Sequence, residues 1–211
     1  MRLEPLRDLQ AVIFDLDGVV FDSLHCNIVL YNHILEKVGL PPTAADASEV
    51  IHRESMERSL AHFMGWGEKF EQAMAYWREL DATPFIKQLR LFPQVQETLT
   101  RLRRHVRTAV ATNRQRTTGA ALDHFGLSGL FDLVVTPLDA GAPKPDPQVM
   151  EYTLAGLGLS RDQVVYVGDS SIDEALCQAS NVRLVAYRGP ELKAWAHVQE
   201  HGEIPGLLGL E

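Results

Sequence analysis

Cysteine is scarce: Cys26 and Cys177 are the only two in 211 residues. Each falls in a segment with helical periodicity and no surrounding ligand motif. That excludes a disulfide framework and a zinc site of clustered thiolates, and it fits free thiols in a reducing compartment. Long apolar runs are also missing. None reaches the roughly 20 residues that a helical membrane span requires. The opening Met1-Arg2-Leu3-Glu4-Pro5 lacks the charged-then-apolar order of a secretory signal, so the expected location is cytoplasmic. Basic charge is in deficit. Twenty Lys and Arg stand against 28 Asp and Glu, a net charge of -8. Nucleic acid and anionic membranes both attract basic patches, so neither is an expected partner. The chain has no internal repeat, no low-complexity segment and no histidine pair at metal-ligand spacing.

What is present is an ordinary globular composition, 45% hydrophobic and 23% charged, long enough for one large domain or a core with a small insert. Its organising stretch is Ala11-Val12-Ile13-Phe14-Asp15-Leu16-Asp17-Gly18. Four apolar residues in a row read as a strand covered on both faces, as in a parallel sheet. Asp15 and Asp17 lie two apart, so an extended backbone puts both on one side. Gly18 lets the chain turn at once. Two carboxylates about 4 Å apart repel by about 4 kcal/mol at an effective dielectric near 20. A cation, a substrate or a proton between them removes that cost. Two acids solvated at a strand end are the plain alternative.

From about 23 to 88 the chain reads as helical. Asp22-Ser23 is a plausible cap, and Leu24, Ile28, Tyr31, Leu35 and Val38 recur at steps of three and four. Val50 to Met64 and Glu68 to Leu80 are further helical candidates, separated by Gly65-Trp66-Gly67. Past Phe92-Pro93, helices and strands alternate. Val95 to Val106 is a helix and Val106 to Ala111 a strand ending in Thr112-Asn113. A helix at Thr117–Phe125 and a strand at Phe131–Thr136 follow. The loop Pro143-Lys144-Pro145-Asp146-Pro147 feeds a helix at Gln148–Leu157. Then come a strand ending at Gly168-Asp169, a helix at Ser171–Ala179, a strand at Arg183–Tyr187 and a helix near Glu191–His201. Such alternation predicts an α/β fold, a doubly wound, Rossmann-like parallel sheet. The helical block is too long for a simple crossover and is expected to be an inserted helical cap domain. The expected domains are residues 1–22 with 89–211 as catalytic core, and 23–88 as cap.

In open α/β sheets, ligands bind beyond the carboxyl ends of the strands. Four successive elements bring polar groups to that edge: Asp15 with Asp17, Thr112 with Asn113, Lys144, and Asp169 with Asp173. Each alone has a bland explanation as a turn residue, a solvated loop charge or a helix cap. In this order the set resembles the haloacid dehalogenase superfamily of phosphohydrolases. It is most similar to the branch with a helical cap after the first motif, which includes phosphoglycolate phosphatases and β-phosphoglucomutases. The resemblance implies that Asp15 is the nucleophile and a metal ligand. It makes Asp17 the general acid and base, with its backbone carbonyl on the metal. Thr112 and Asn113 then belong to the phosphate site, and Lys144 offsets charge around Asp15 and the phosphate. Asp169 ligates Mg²⁺, and Asp173 is a ligand or a support for the metal shell.

The chemistry of the residues agrees. Four carboxylates against one lysine would repel a phosphate dianion unless a hard divalent cation joined them. The expected activity is therefore a Mg²⁺-dependent phosphatase of small phosphorylated metabolites, working through an aspartyl phosphate. The protein is expected to act as a monomer or weak homodimer. Two alternatives stand beside it. A phosphosugar mutase of the β-phosphoglucomutase type would need Glu-Asp where this chain has Gly168-Asp169. A binding or scaffold domain on the same fold would have no use for the intact set of acids and Lys144. Substrate choice is expected to lie in the cap loop His52-Arg53-Glu54-Ser55, where Arg53 could bind an anionic leaving group. His25 and Arg114 are assigned to the surface, and Trp66 and Trp77 to the cap core.

Overall fold

The computed structural model describes residues 6, 8–43, 47, 50, 51 and 54–210. His52 and Arg53 lie outside the described residues, and with them the expectation that Arg53 binds a leaving group.

Strand β1 (Ala11–Phe14) is fully buried. Ala11 and Ile13 face one core, Val12 and Phe14 the other, as the two-residue period of a strand requires. The chain then turns through Gly18, whose φ of 82° is a left-handed conformation that favours glycine. Leu16 O accepts the backbone N–H groups of Val20 and Phe21, both at 2.8 Å. A short strand, β2 (Phe21–Asp22), pairs antiparallel with β3 (Arg90–Leu91). Between these two strands lie helices α1 (Leu24–Lys37), α2 (Met56–Met64), α3 (Glu68–Glu79) and α4 (Thr83–Ile86).

After β3 the alternation follows: α5 (Val95–Leu102), β4 (Arg107–Ala111), α6 (Thr118–His124), β5 (Leu133–Val135), α7 (Pro137–Ala140), α8 (Gln148–Leu157), β6 (Val164–Gly168), α9 (Ser171–Ser180), β7 (Arg183–Tyr187), β8 (Ala196–Val198) and α10 (Glu203–Leu207). The main sheet has six strands in the order β5-β4-β1-β6-β7-β8, every neighbouring pair parallel. Leu99 and Leu102 of α5, Leu122 of α6 and Ile204 of α10 pack on one face. Val149, Met150 and Leu157 of α8 and Leu176 and Cys177 of α9 pack on the other. This is the doubly wound α/β sheet that the alternation implies. From β1 the chain builds outward through β4 and β5, then returns to β6 on the far side of β1. That reversal sets the switch-point crevice at the carboxyl ends of β1 and β6.

Four local readings are corrected by the structure. The stretch Glu191–His201 is not a helix: it carries β8, in which Ala196 and Val198 are buried and His197 is exposed. Alternation with period two, after Gly189-Pro190, outcompetes the weak helical pattern there. The candidate helix Val50–Met64 is interrupted, because Ser55 caps a new helix with its hydroxyl accepting from Arg58 N at 3.4 Å. Ser23 stands at the start of α1 but makes no side-chain cap. Trp66 is 72% exposed, edge-on to Phe70, and so is no part of a core, whereas Trp77 is buried.

The turn after β1 is fixed from the far end of the chain. His201 Nε2 donates to Val19 O at 2.7 Å, and its ring lies 4.7 Å from that of Tyr187. Burial pushes the His201 pKa below the usual imidazole value, which favours the neutral ring. Phe14 packs edge-on against Phe131 at 6.4 Å beneath the same turn.

Phe14→Ala should therefore destabilise the protein by about 3–5 kcal/mol, since a fully buried ring leaves a cavity. Leu138→Ala, at a side chain 69% exposed, should stay within about 0.5 kcal/mol of wild type. Urea unfolding of both variants checks this pair of outcomes, and a comparable loss for each would contradict the burial assigned to Phe14.

Candidate active site

Asp15 follows the last residue of β1 and is tied to the neighbouring strand, its N–H donating to Val167 O at 2.9 Å. Its Oδ1 accepts from Leu16 N at 2.7 Å and its Oδ2 lies 2.9 Å from Lys144 Nζ. Lys144 is only 2% exposed. Its ammonium also donates to Asp173 Oδ1 at 2.8 Å and to the Tyr166 hydroxyl at 2.9 Å. The Tyr166 hydroxyl in turn lies 2.7 Å from Ala111 O, so a side chain of β6 spans to the end of β4 beneath β1. The lysine's donors are thus directed by three buried partners.

Asn113 holds the loop that delivers this lysine. Its Oδ1 accepts from Lys144 N at 2.7 Å and its Nδ2 donates to Lys144 O at 3.2 Å. Both ends of the amide are thereby engaged with the loop backbone. Thr112 is buried, anchored by its N–H to Val135 O, and its hydroxyl accepts from Arg114 N at 3.2 Å. A hydroxyl that accepts there keeps its own proton for a phosphate oxygen.

Asp169 and Asp173 stand at the end of β6 and in the first turn of α9. Ser170 caps that helix, and Asp173 Oδ2 accepts from Ser170 Oγ at 2.7 Å and from the N–H groups of Asp169 and Ser170, both at 3.2 Å. With Lys144 on its other oxygen, Asp173 has protein donors on both. Of the two roles open to it, the geometry favours support of the site. Gly168 is required by the same packing. A Cβ there would come within 2.5 Å of Asp173 Cβ, so a glutamate at 168, as a mutase motif needs, would displace the residue that orients Lys144.

One ammonium faces three acids in this cluster. Carboxylate oxygens of Asp15, Asp169 and Asp173 all lie within 4.8 Å of one another. Burial raises the Asp15 pKa to about 7; Lys144 opposes the rise, while Asp173 and Asp169 add to it. Asp173 shifts the other way. Burial works against its charge, but Lys144 and the hydrogen bonds from Ser170 and Tyr166 outweigh that and hold its pKa below the ordinary value. Of this pair, Asp173 is the carboxyl that Lys144 holds ionised, and Asp15 the one that more readily keeps a proton. A donor set of hard carboxylate oxygens with excess negative charge suits a divalent cation such as Mg²⁺. Asp15 and Asp169 are the side chains that would hold it.

Asp17 and Arg114 form the second charged pair. Arg114 Nε lies 3.0 Å from Asp17 Oδ2 and Nη2 lies 2.7 Å from Oδ1, a bidentate fork. Arg114 is buried, not on the surface as its place in the sequence suggested. Burial opposes its charge, yet the Asp17 carboxylate outweighs this and raises the guanidinium pKa. The signal that could have found it is its position one residue past Thr112-Asn113, on the edge that carries every other charged group. His25 is exposed, as expected.

These groups open into a cleft between the strand ends and the helices inserted between β2 and β3. Its floor includes Asp15, Asp17, Thr112 and Lys144, and its roof includes Tyr31 and Trp77. The loop after β4 bridges the two sides. Gln115 Nε2 donates to Glu57 Oε2 at 3.2 Å, and Arg116 donates to Trp77 O and, at 2.9 Å, to Leu80 O.

Such a site, at the switch point of a parallel sheet with helices inserted behind its first strand, defines a hydrolase core of the phosphoryl-handling kind. The chain belongs to the haloacid dehalogenase-like hydrolases, whose family model matches residues 12–187. It is 28% identical over 187 residues to the phosphoglycolate phosphatase of Pseudomonas putida, covering 83% of this chain and 68% of that one. It is 32% identical over 166 residues to the tyrosine-protein kinase PtkA of Mycobacterium tuberculosis, covering 78% of this chain but only 57% of that relative's length. A solved hydrolase of the superfamily's subfamily IA, from Geobacter sulfurreducens, superposes with a TM-score of 0.77 at 31% identity, covering 96% of this chain and 97% of that one. The family and the phosphoglycolate phosphatase relative support an enzyme of the phosphatase class. Among the described residues no helix is long and apolar enough to cross a membrane.

The raised Asp15 pKa gives a stability prediction for cation-free protein. A carboxyl whose folded pKa lies above its unfolded value makes the protein less stable as pH rises from about 4 to about 7. Asp15→Asn removes that dependence. In chelator, its stability relative to wild type should improve between pH 5 and pH 8 by on the order of 1–4 kcal/mol. Thermal or urea unfolding at the two pH values measures it. A constant difference would show that Asp15 ionises without strain.

Proposed function

We propose that this protein is a Mg²⁺-dependent phosphatase of small phosphorylated metabolites and works through an aspartyl phosphate on Asp15. The observation that carries the reading is the Asp15–Lys144–Asp173 cluster at the end of the central strand, with Asp17 and Thr112 at the same cleft. The phosphoglycolate phosphatase relative supports the hydrolytic class, and small phosphorylated carboxylates and sugar phosphates are the substrates to test first.

The side chains divide the work as follows. A carboxylate oxygen of Asp15 attacks phosphorus, forming an acyl-phosphate bond as the bond to the leaving oxygen breaks. Asp17 gives that oxygen a proton, and the alcohol departs. Asp17 then takes a proton from water, whose oxygen attacks the same phosphorus. The acyl-phosphate bond breaks, releasing inorganic phosphate and restoring Asp15. Thr112 donates its hydroxyl proton to a phosphate oxygen. Lys144 lowers the charge that the phosphate meets and keeps Asp15 in place. Asp15, Asp169 and the backbone carbonyl of Asp17 would hold Mg²⁺, which supplies positive charge against the phosphate oxygens.

A screen of phosphorylated metabolites and p-nitrophenyl phosphate, reading phosphate release, tests the reading. Activity should appear with Mg²⁺, vanish in chelator, return poorly with Ca²⁺ and be abolished by Asp15→Asn. Turnover by that variant at the wild-type rate would remove Asp15 as nucleophile, and release from no substrate would leave a binding domain.

Asp17→Asn should separate the two half-reactions. An alkoxide leaves badly without a proton, so the first step on glycerol 2-phosphate should slow by about 10²–10⁴. p-Nitrophenolate is a stable anion, and its first step should slow much less. The second step loses its base in either case. Rapid mixing with p-nitrophenyl phosphate should therefore show a burst of nitrophenolate near one equivalent per site, then slow turnover. Glycerol 2-phosphate should show none. Equal slowing with no burst would mean that Asp17 serves the metal shell alone.

A further inference from the structure

We propose that Arg114 is the positioning residue of Asp17, acting on the reaction through that carboxylate, and that it ties the carboxylate's place to the inserted helices. The inference rests on the acid and base role proposed for Asp17 and extends it to a residue outside the motifs.

Backbone alone does not aim Asp17. The turn fixes its main chain through Leu16 O and Gly18, and side-chain contacts set the direction of the carboxylate. Arg114 makes two of them. Its planar fork meets both carboxylate oxygens, at 2.7 and 3.0 Å, and a fork sets the plane of a carboxylate as well as its distance. The guanidinium is itself held from two further sides. Nη1 donates to Thr117 Oγ1 at 2.9 Å, and Nη2 reaches Asn27 Oδ1 at 3.3 Å. At its base, Arg114 N donates to Thr112 Oγ1. The arginine side chain is only 8% exposed. A catalytic group whose partner is itself held from several sides keeps its productive arrangement.

Asn27 gives the arrangement its second property. It belongs to α1, the first of the helices inserted between β2 and β3, whereas Thr112 and Thr117 flank the loop after β4. One guanidinium therefore joins the acid and base residue, a strand end of the sheet and the inserted helices. While the fork is closed, both oxygens of Asp17 accept from Arg114. To give a proton to a leaving oxygen or take one from water, one arm must open. The arginine thus sets where Asp17 starts and how far it has to move.

The test compares wild type, Arg114→Ala, Arg114→Lys, Asp17→Asn and the double variant Asp17→Asn/Arg114→Ala, all at saturating Mg²⁺. Arg114→Ala should slow the first step on glycerol 2-phosphate by about 10-fold or more and that on p-nitrophenyl phosphate by much less, with a nitrophenolate burst like that of Asp17→Asn. In the Asp17→Asn background, Arg114→Ala should cost at most about 3-fold more, because residues that act as a unit are not additive. Arg114→Lys keeps a charge but not the fork, and should restore only part of the rate. Three results would overturn the inference: equal slowing of both substrates, full additivity in the double variant, or a tenfold rise in KM for p-nitrophenyl phosphate at unchanged kcat. The last would put Arg114 on the phosphoryl group instead. Thermal unfolding shows which variants fold, and if Arg114→Ala does not, Arg114→Lys carries the comparison. If Asp17→Asn itself distinguishes no leaving groups, the acid and base reading fails. If it does and the arginine variants do not, only the role of Arg114 fails.

Discussion

The Lys144 ammonium is the interaction on which the site depends. It is buried, and it bonds to Asp15 at the end of β1, Asp173 in the first turn of α9 and Tyr166 in the middle of β6. Removing one partner from such a group leaves an uncompensated buried charge, a loss of about 3–5 kcal/mol. The surrounding structure is arranged to prevent that. Asn113 fixes the lysine's backbone, Ser170 orients Asp173, and Gly168 leaves room for Asp173 to approach. The same ammonium stands among three acids whose oxygens lie within 4.8 Å of one another. Burial, with the charges of Asp173 and Asp169 added to it, raises the pKa of Asp15, the residue proposed as nucleophile.

Much of this was legible in the sequence because strand ends are legible. Four apolar residues before Asp15, a short apolar run before Thr112 and another before Gly168 each announce where a parallel strand stops. In a doubly wound sheet all those stops share one edge. What the sequence left open was side-chain direction. Arg114 reads as one more charge in a polar loop, and only the turn of that loop toward β1 brings it onto Asp17. The resemblance left Asp173 either a metal ligand or a support, and its oxygens meet Ser170 and Lys144. Long-range pairing was equally hidden. The hairpin of β2 and β3 joins residues nearly seventy positions apart, and no local pattern marks two-residue strands.

The remaining disagreements came from competition between weak patterns. Trp66 carries an apolar side chain between two glycines, and composition alone assigned it to a core. The glycines instead hold it at a helix boundary, where its ring rests edge-on against Phe70 and faces solvent. His201, with no ligand spacing, is a brace under the turn that shapes the first motif, across a separation of 182 positions in the chain.

The β2–β3 hairpin has a consequence for the architecture. The segment carrying α1 to α4 leaves the core at Phe21 and re-enters at Leu91, and those two residues face each other across the hairpin. To the six-stranded sheet this whole segment is a loop whose ends are already closed. For a flexible loop, doubling the length adds only about 0.6 kcal/mol of closure entropy. The register of β1 with β4 and β6 therefore does not depend on how many residues lie above the hairpin. The helices above the hairpin can therefore be lengthened or shortened at little cost to the sheet, except where Asn27 of α1 meets Arg114 and, through it, the carboxylate of Asp17.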